Sequence, residues 1–479
     1  MEHDLVVFVP GILGSRLTRG GVDIWQRSQR AIRLHVAVEL ARNPLKRHTA
    51  FEDLKLPPGA GHDLPEAPWA VTPEEPLEGA DALPGLLKTL GPPDVAGMMG
   101  GLAPGQYVPF PYDWRLSNRV TAGLLKQRVE RELTRWTERY RAHYPHAEEP
   151  PKVVYVCHSM GGLVARYHLE CQDGAETARA LVTLGTPHRG AAKAIRFLTG
   201  HGIGPGEDQP GIQGPRAALV GALYNDVFME VCRTFPSMAQ LLPVYRAVLR
   251  PGADRPLRPL DEAQVPDLPT ELVQEAFDFH EDFEEAVERN RLRRSPWPGY
   301  AVHSIGGRAH PTVHGVQVEP GGELKFPTRL DDRRHWTGDG TVPEDSAHPW
   351  WALTELSYGV WNGYKHAELP GGEAVSHQLA VILRGGRGRS MLSADEIGVL
   401  APELAVAGEP FEVLVQGTDR TVRASLHRPG QPPLPPVTLK PAGEGLLRAE
   451  LTAGEGTWVL RVEAEPYVVR HEVVTVVAA

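Results

Sequence analysis

Residues 153–162 of the chain read VVYVCHSMGG. Its first four residues are apolar and mostly β-branched, which predicts a strand. The residues that follow, GLVARY at 162–167, favour a helix. Where a strand and a helix nearly touch, the residues two before and two after the turn must be small, as Cys157 and Gly161 are. The stretch therefore predicts a strand, a tight turn at Ser159 and a helix.

This layout is typical of a nucleophile elbow, in which a strained backbone lifts the serine hydroxyl clear of the sheet. The alternative is a polar turn that merely contains a serine. A serine hydroxyl is a weak nucleophile until a base takes its proton. The first interpretation therefore requires a histidine, and a carboxylate that orients it, elsewhere in the chain.

Composition restricts the classes of protein to be considered. With 479 residues, the chain is long enough for two or three domains. The apolar fraction of 41% and the charged fraction of 23% are those of a soluble globular protein. The net charge is −10 with both signs mixed and no basic stripe, so we expect no nucleic-acid partner.

The cysteines and the first residues of the chain bear on its location. Three cysteines without metal-ligand spacing predict neither a disulfide framework nor structural zinc, and we expect no cofactor. The opening MEHD is acidic and leads directly into LVVFV, which predicts a first strand rather than a signal peptide. No apolar run is long enough for a transmembrane helix. A cytoplasmic location is the expectation.

Strand-like and helix-like segments alternate along most of the chain. A first strand, an amphipathic helix at 120–144 and the elbow unit are followed by strands near 180–184 and 300–305. Such alternation predicts an α/β fold with a mostly parallel sheet covered by helices. Residues of about 22–105 and 195–298 interrupt it and are interpreted as insertions that form a lid or cap. The sequence predicts one catalytic domain at 1–395 that contains both.

The pattern changes after residue 398. Short apolar segments alternate there with turn residues up to the end of the chain, which predicts a small all-β sandwich of immunoglobulin-like type at 398–479. Its few ionisable residues form no catalytic cluster. We expect this accessory domain to serve in binding, stabilisation or contact with a protein partner.

The carboxylate and the base required by Ser159 have candidates downstream. Asp339 lies in GDGTVP at 338–343, where an acid loop is expected, although Gly-Asp-Gly is also an ordinary turn; Asp345 is the reserve candidate. Among twenty histidines, His366 is the best placed, in a loop before an apolar helix. His348 and His377 are the alternatives. For His158, beside the serine, we expect packing.

Acyl transfer also requires donors for the developing oxyanion, usually two backbone N–H groups. One donor is expected from the residue after the nucleophile, Met160. The other is expected from a glycine-containing loop after an early strand, and VPGILGS at 9–15 predicts Ile12 in this role. The alternative interpretation of this segment is a strand-ending turn.

Together these segments resemble the lecithin–cholesterol acyltransferase-like family of α/β-hydrolases. Two of the matching segments, PYDWR and FPS with LLP, are more specific than the elbow, which many lipases share. The matching segments are VPGILGS (9–15), PYDWR (111–115), HSMGG (158–162), FPS (235–237) with LLP (241–243), GDGTVP (338–343) and KH (365–366).

The resemblance implies an α/β-hydrolase fold and a role for each candidate residue. Ser159 would be the nucleophile, Asp339 the acid and His366 the base. Ile12 and Met160 would form the oxyanion hole. Trp25 resembles a family tryptophan near this loop and would line the acyl pocket, with plain packing as the alternative. For Asp113 and Arg115, a structural ion pair or a hydrogen-bond cluster under the site is expected.

Three functions follow as hypotheses. The leading one is a serine-dependent acyl-ester hydrolase, a phospholipase, lipase or esterase that acts on lipid esters through an acyl-enzyme and contacts a membrane surface transiently. The first alternative is an O-acyltransferase that moves an acyl chain from a phospholipid to an alcohol. The second is a catalytically silent binding or scaffold protein of the same fold.

Overall fold

The structure is a computed structural model, and it describes eight stretches of the chain. These are residues 3–25, 52–77, 103–201, 229–259, 265–328, 338–349, 359–385 and 397–477, apart from positions 58, 65–68, 104, 254, 296, 297, 403, 417–419, 429, 444 and 465–467. Much of the expected insertion at 22–105 and the segment 202–228 of the second insertion lie outside the described residues.

From residue 107 to residue 307, helices separate the successive strands of the central sheet, as the sequence predicts. The strands are β1 (Leu5–Val9), β2 (Ser15–Arg19), β3 (Val22–Trp25), β4 (Thr72–Pro76), β5 (Tyr107–Pro109), β6 (Val153–His158), β7 (Ala178–Leu184), β8 (Val248–Leu249), β9 (Ala301–Gly307), β10 (Val316–Val318), β11 (Leu324–Lys325) and β12 (Gly359–Asn362). The helices are α1 (Asn118–His143), α2 (Gly161–Cys171), α3 (Ala192–Leu198), α4 (Pro236–Ala239), α5 (Thr270–Arg293) and α6 (Glu373–Leu383).

Six strands form the central sheet, in the order β12-β9-β7-β6-β1-β5, and every neighbouring pair is parallel. All residues of β1 and β6 are buried, because helices cover both faces of a parallel sheet. Alternate residues point to opposite faces: Val7 and Tyr155 enter the core beneath α1 and α2, whereas Phe8 and Val156 enter the core beneath α6. The α/β prediction is confirmed.

Two strands of this sheet, β5 and β12, were not predicted from the sequence. The edge strand β12 has only four residues, Gly-Val-Trp-Asn, and pairs with β9. Its shortness and its glycine give it a weak strand signal. It matters for the site because the segment that carries His366 begins directly after it.

The first insertion contributes a small antiparallel sheet, since β2 pairs with both β3 and β4. A further sheet consists of β11, β10 and β8, and its β10–β11 pair is an antiparallel hairpin that turns at Pro320-Gly321-Gly322. Both lie outside the central sheet.

The chain after residue 396 forms two β-sheets around a core of their own. Its strands are β13 (Gly398–Leu400), β14 (Leu404–Val406), β15 (Phe411–Gln416), β16 (Val422–His427), β17 (Val437–Thr438), β18 (Lys440–Gly443), β19 (Leu446–Leu451), β20 (Gly456–Ala464) and β21 (Val468–Val477). The sheet orders are β13-β15-β19-β18 and β14-β21-β20-β16-β17, antiparallel except for the β14–β21 pair. The core contains Phe411, Trp458 and Leu460. The all-β prediction is confirmed, and the boundaries at 395 and 398 remain a proposal.

Candidate active site

The candidate residues gather at the carboxyl ends of the parallel strands, where open α/β sheets place their ligand sites. Ser159 follows β6 directly, and Ile12 lies in the loop after β1. His366 follows the edge strand β12 and begins a short 3-10 helix, His366–Gly371. The acid loop with Asp339 is bridged to the segment after β9 through His310.

Ser159 stands on the sharp turn that the elbow interpretation requires. Its φ of 50° is in the left-handed region that residues with side chains seldom adopt. Its amide donates to the carbonyl of Leu184 at the end of β7 (2.9 Å). The strained turn is thus anchored to the neighbouring strand.

Close packing explains the glycine after the turn. A Cβ atom at Gly161 would collide with the carbonyl oxygens of Val9 and Pro10, so the start of α2 touches the end of β1. A Cβ atom at Gly162 would collide with Thr186. The free thiol of Cys157 is fully buried, and burial raises the pKa of this thiol. Cys157 therefore serves as a small apolar residue below the turn.

The structure brings Ser159, His366 and Asp339 into one hydrogen-bonded chain. The Oγ atom of Ser159 lies 2.8 Å from Nε2 of His366, and Nδ1 of His366 lies 2.8 Å from Oδ2 of Asp339. The His366 side chain is 15% exposed and that of Asp339 only 2%, so the open end of the chain is the serine–histidine end.

The environment of Asp339 keeps its carboxyl group ionised. Burial by itself would raise its pKa, but the neighbouring His366 and two backbone amides lower it by more, and the resulting pKa lies below the ordinary value. The amides of Val342 and Thr341 donate to Oδ1 at 2.7 and 2.9 Å. Oδ2 is left for the imidazole, which fixes its orientation.

Two residues that sequence reasoning missed hold the acid and histidine segments together. The amide of His310 donates to Gly338, and its Nε2 atom donates to the carbonyl of Gly363 at 2.8 Å. Gly185 has a φ of 60°, and a Cβ there would lie 2.8 Å from Oδ2 of Asp339. No local pattern distinguishes His310 from the other histidines of the chain, of which there are twenty in all. Its contacts could therefore not be predicted from the sequence.

His158 packs against the candidate base. Its Nε2 donates to the backbone carbonyl of His366 (3.0 Å), and the two rings lie 4.9 Å apart. Contact with the backbone and ring of His366 is the packing role that the sequence predicts.

The other candidate acid and bases lie in different surroundings. Asp345 is exposed in a 3-10 helix, and His377 is exposed on α6. His348 is buried against a tryptophan ring, and burial lowers its pKa to about 4. The structure gives the hydroxyl of Ser159 a different histidine, His366.

The loop after β1 is held from two sides. Leu13 has a φ of 62°, and its carbonyl accepts the indole N–H of Trp25 at 2.9 Å. Met160 precedes the first residue of α2, where amides have no intrahelical acceptor and the helix dipole is positive. Because the loop after β1 touches the start of α2 at Gly161, the two predicted donors, Ile12 and Met160, belong to adjoining segments.

Trp25 lies beneath this loop. It is 4% exposed, and its ring meets that of Trp114 edge-on at 5.2 Å. These contacts are packing contacts, and a role of Trp25 in lining an acyl pocket stays a prediction.

The PYDWR segment supports the same loop. Tyr112 donates its hydroxyl to the carbonyl of Pro10 at 2.8 Å, and the indole of Trp114 donates to Ser15 at 3.1 Å. Arg115 is fully buried and binds both carboxylate oxygens of Asp113 at 2.8 and 2.7 Å. The expected structural ion pair is confirmed.

Two further features concern the described parts of the chain. No group of three or more His, Cys, Asp or Glu side chains there is arranged to hold a metal ion. None of the described helices combines the length and the apolar character that crossing a membrane requires.

Comparisons with known proteins agree with the family resemblance. The family model of lecithin:cholesterol acyltransferase matches residues 98–206, which include the elbow. The resemblance is confirmed over this segment, and it supports a lipid-ester hydrolase or acyltransferase. A search of curated proteins found no match.

Several solved structures are similar to the chain. The crystal structure of the Tle4–Tli4 complex is 16% identical, with 80% of this chain and 98% of that chain covered and a TM-score of 0.42. The Bacillus licheniformis lipase BlEst2 in its propeptide form is 12% identical, with 98% and 73% covered and a TM-score of 0.32. Its mature form is 13% identical, with 79% and 91% covered and a TM-score of 0.30.

Proposed function

We propose that the protein is a serine-dependent hydrolase of lipid esters that works through an acyl-enzyme. The observation that carries this proposal is the hydrogen-bonded chain from Ser159 through His366 to Asp339, with the serine on a strained turn. The match of residues 98–206 to an acyltransferase family supports an acyl ester as the substrate.

Acylation would proceed as follows. Oγ of Ser159 attacks the ester carbonyl carbon while Nε2 of His366 takes its proton, and the ionised Asp339 stabilises the imidazolium through Nδ1. The carbonyl oxygen, now negative, accepts hydrogen bonds from the amides of Ile12 and Met160. When the tetrahedral intermediate collapses, the leaving alcohol takes the proton from Nε2, and the acyl group remains on Oγ.

Deacylation repeats these steps with a different nucleophile. His366 takes a proton from water, the resulting hydroxide attacks the acyl carbonyl, and Oγ of Ser159 leaves with the proton from Nε2. If a bound alcohol replaces water, the same residues give an O-acyltransferase. The family match favours this second candidate function, because its description is that of an acyltransferase.

The proposal extends to the surroundings of the enzyme. We infer a lipid or other acyl ester as the substrate, a cytoplasmic location and transient contact with a membrane surface. A protein partner at the C-terminal β-domain is a further inference.

Replacement of the nucleophile tests the proposal. Ser159→Ala should lower kcat for p-nitrophenyl esters by about 10⁶-fold and abolish labelling by a fluorophosphonate, because both reactions need the hydroxyl that His366 and Asp339 would activate. Ser425→Ala is the matched control, since Ser425 also lies 2.8 Å from a histidine ring, that of His427. The control should retain full activity and labelling.

The outcome separates the competing functions. Undiminished labelling of Ser159→Ala would contradict the assignment of the nucleophile. A wild-type protein that resists labelling would favour the silent binding or scaffold protein instead. Mass spectrometry of the products from a phospholipid and a long-chain alcohol distinguishes free fatty acid, the product of a hydrolase, from the alkyl ester that a transferase forms.

A further inference from the structure

The C-terminal β-domain touches the catalytic part of the chain beside His366. The ammonium group of Lys365, the residue directly before His366, forms an ion pair with the carboxylate of Glu472 on β21. Their side chains are 29% and 12% exposed, so the pair lies partly out of solvent. The residue next to the candidate base is thus bound by a side chain 107 positions away in sequence.

A second contact from the same strand adjoins the first. The guanidinium group of Arg470 lies over the ring of Tyr364, 5.7 Å from its centroid. Arg470 and Glu472 are two residues apart on β21 and therefore point to the same face of the strand. Two successive residues before His366 are held by two successive positions on one strand face.

The strand itself is firmly placed. It pairs with β20 along nearly its whole length and with β14 on its other side. Side chains that leave such a strand start from a rigid position, which is what a positioning contact requires. By contrast, the segment that they hold leaves a four-residue edge strand, β12.

The β-domain also reaches the support of the acid loop. A Cβ atom at Gly398 in β13 would collide with the carbonyl of Ala309, so the two backbones are in close contact there. Ala309 has a φ of 68°, and the next residue, His310, donates to both the acid segment and the histidine segment. These contacts therefore meet the segment before His366 and Ala309, the residue before His310, which joins that segment to the acid loop.

We propose that the C-terminal β-domain is a positioning element of the active site, in which Glu472 and Arg470 hold Tyr364 and Lys365 so that His366 keeps its distance to Ser159. The proposal rests on the proposed serine-hydrolase function. A displacement of about 1 Å at a catalytic group lowers the rate about 10²-fold, whereas a partly exposed ion pair adds little to global stability. Loss of the pair should therefore affect turnover and leave folding unchanged.

Full-length Glu472→Gln tests the proposal. We expect its kcat for a p-nitrophenyl ester to fall about ten-fold, with KM and melting temperature unchanged, because His366 is displaced by a fraction of an ångström. Glu472→Asp should recover part of the loss. The matched control is Glu463→Gln, which breaks an ion pair with Arg461 within β20, on the opposite face of the sheet from Glu472. This control should keep the wild-type kcat.

A double-mutant cycle provides the decisive readout. Lys365→Gln should reproduce the effect of Glu472→Gln, and the double variant should be no worse than either single one, because all three lack the same contact. Additive losses would overturn the proposal, as would a wild-type kcat in Glu472→Gln or a melting temperature that falls in step with kcat. If Glu472→Gln does not fold, Arg470→Gln carries the same test of kcat against KM.

Fluorophosphonate labelling keeps the two proposals distinguishable. Labelling of the wild type at Ser159 reports on the proposed function. The rate of labelling of Glu472→Gln relative to the wild type reports on positioning, and we expect slow but complete labelling. An unchanged rate would overturn the positioning proposal while the proposed function stood.

Discussion

The two halves of the candidate site lie at different places in the sheet. Ser159 follows β6, an interior strand between β1 and β7, whereas His366 follows β12, a four-residue strand at the edge. The serine turn is held by strand pairing and by glycines that allow backbones to touch. The histidine segment is held by side chains from elsewhere, among them His310 and Glu472.

The position of a strand in the sheet thus determines how much additional support the residue after it needs. An interior strand leaves its last residue little freedom, so a short motif is enough to place the nucleophile. An edge strand is paired on one side only, so the residue that follows it is less firmly placed. Contacts from distant parts of the chain must then hold that residue in position. Variants on the two sides should therefore fail in different ways.

After loss of the nucleophile itself, replacement of the acid on the histidine side should have the greatest effect on turnover. Asp339→Asn should lower kcat about 10⁴-fold with little change in KM, because an amide cannot stabilise the imidazolium or hold the required tautomer. Steady-state kinetics on a soluble ester measures it. Asp345→Asn is the matched control, since Asp345 is exposed in the following 3-10 helix. Equal losses in the two variants would contradict the assignment of the acid.

On the serine side, a change in the close packing at Gly161 should have a smaller effect than Asp339→Asn. Gly161→Ala should lower the free energy of unfolding by about 1–3 kcal/mol, because the added Cβ meets the carbonyl oxygens of Val9 and Pro10, which cannot rotate away. Activity should fall with it, since the start of α2 and the loop after β1 would separate. Urea denaturation and ester turnover measure the two effects.

Gly123 in α1 provides the matched glycine. A Cβ atom there would meet its nearest neighbour at 4.0 Å, and alanine is the better helix former, so Gly123→Ala should stabilise the protein by up to about 1 kcal/mol. If both alanine variants were equally stable, the close approach at the serine turn would not be what requires a glycine.

The smallest expected effect is a dependence of stability on pH at the histidine side. Burial and, to a smaller extent, the neighbouring charge of Lys365 lower the pKa of His310 to about 3. Between this value and the unfolded value of about 6.5, the unfolded chain binds the proton and the folded chain does not. The contribution of His310 is complete above the unfolded pKa and is lost as the pH falls toward the folded pKa.

The variant His310→Asn tests the contribution of His310 to the dependence of stability on pH. The free energy of unfolding should decline less steeply in the variant than in the wild type as the pH falls from about 6.5 to 5, by up to about 1.4 kcal/mol per pH unit. Denaturant titrations across this range measure the slope. Parallel slopes would show that His310 is not held neutral in the folded protein.

Most of the architecture was accessible from the sequence. The parallel sheet, the helix α1, the elbow unit and the C-terminal strands follow from periodicity and turn residues, and the structure bears them out. The edge strand β12 was missed because four residues with a glycine carry too weak a signal. The roles of Ser159, Asp339 and His366 remain a proposal that the distances support.

The support around the histidine could not be anticipated in the same way. His310 looks like any other histidine in the chain, and Glu472 like any other acidic residue on a β-strand. Their contacts depend on how the β-domain and the segment after β9 pack against the loop before His366. No spacing in the sequence records such packing.

The sequence alone thus predicted the order of the candidate residues and the form of the serine turn. It could do so because strand, turn and helix preferences depend on residues that are neighbours in the chain. The 2.8 Å contacts of His366, and the ion pair that adjoins it, join residues that are 27, 107 and 207 positions apart. Their geometry is set by packing in three dimensions, since only the folded chain brings such residues together.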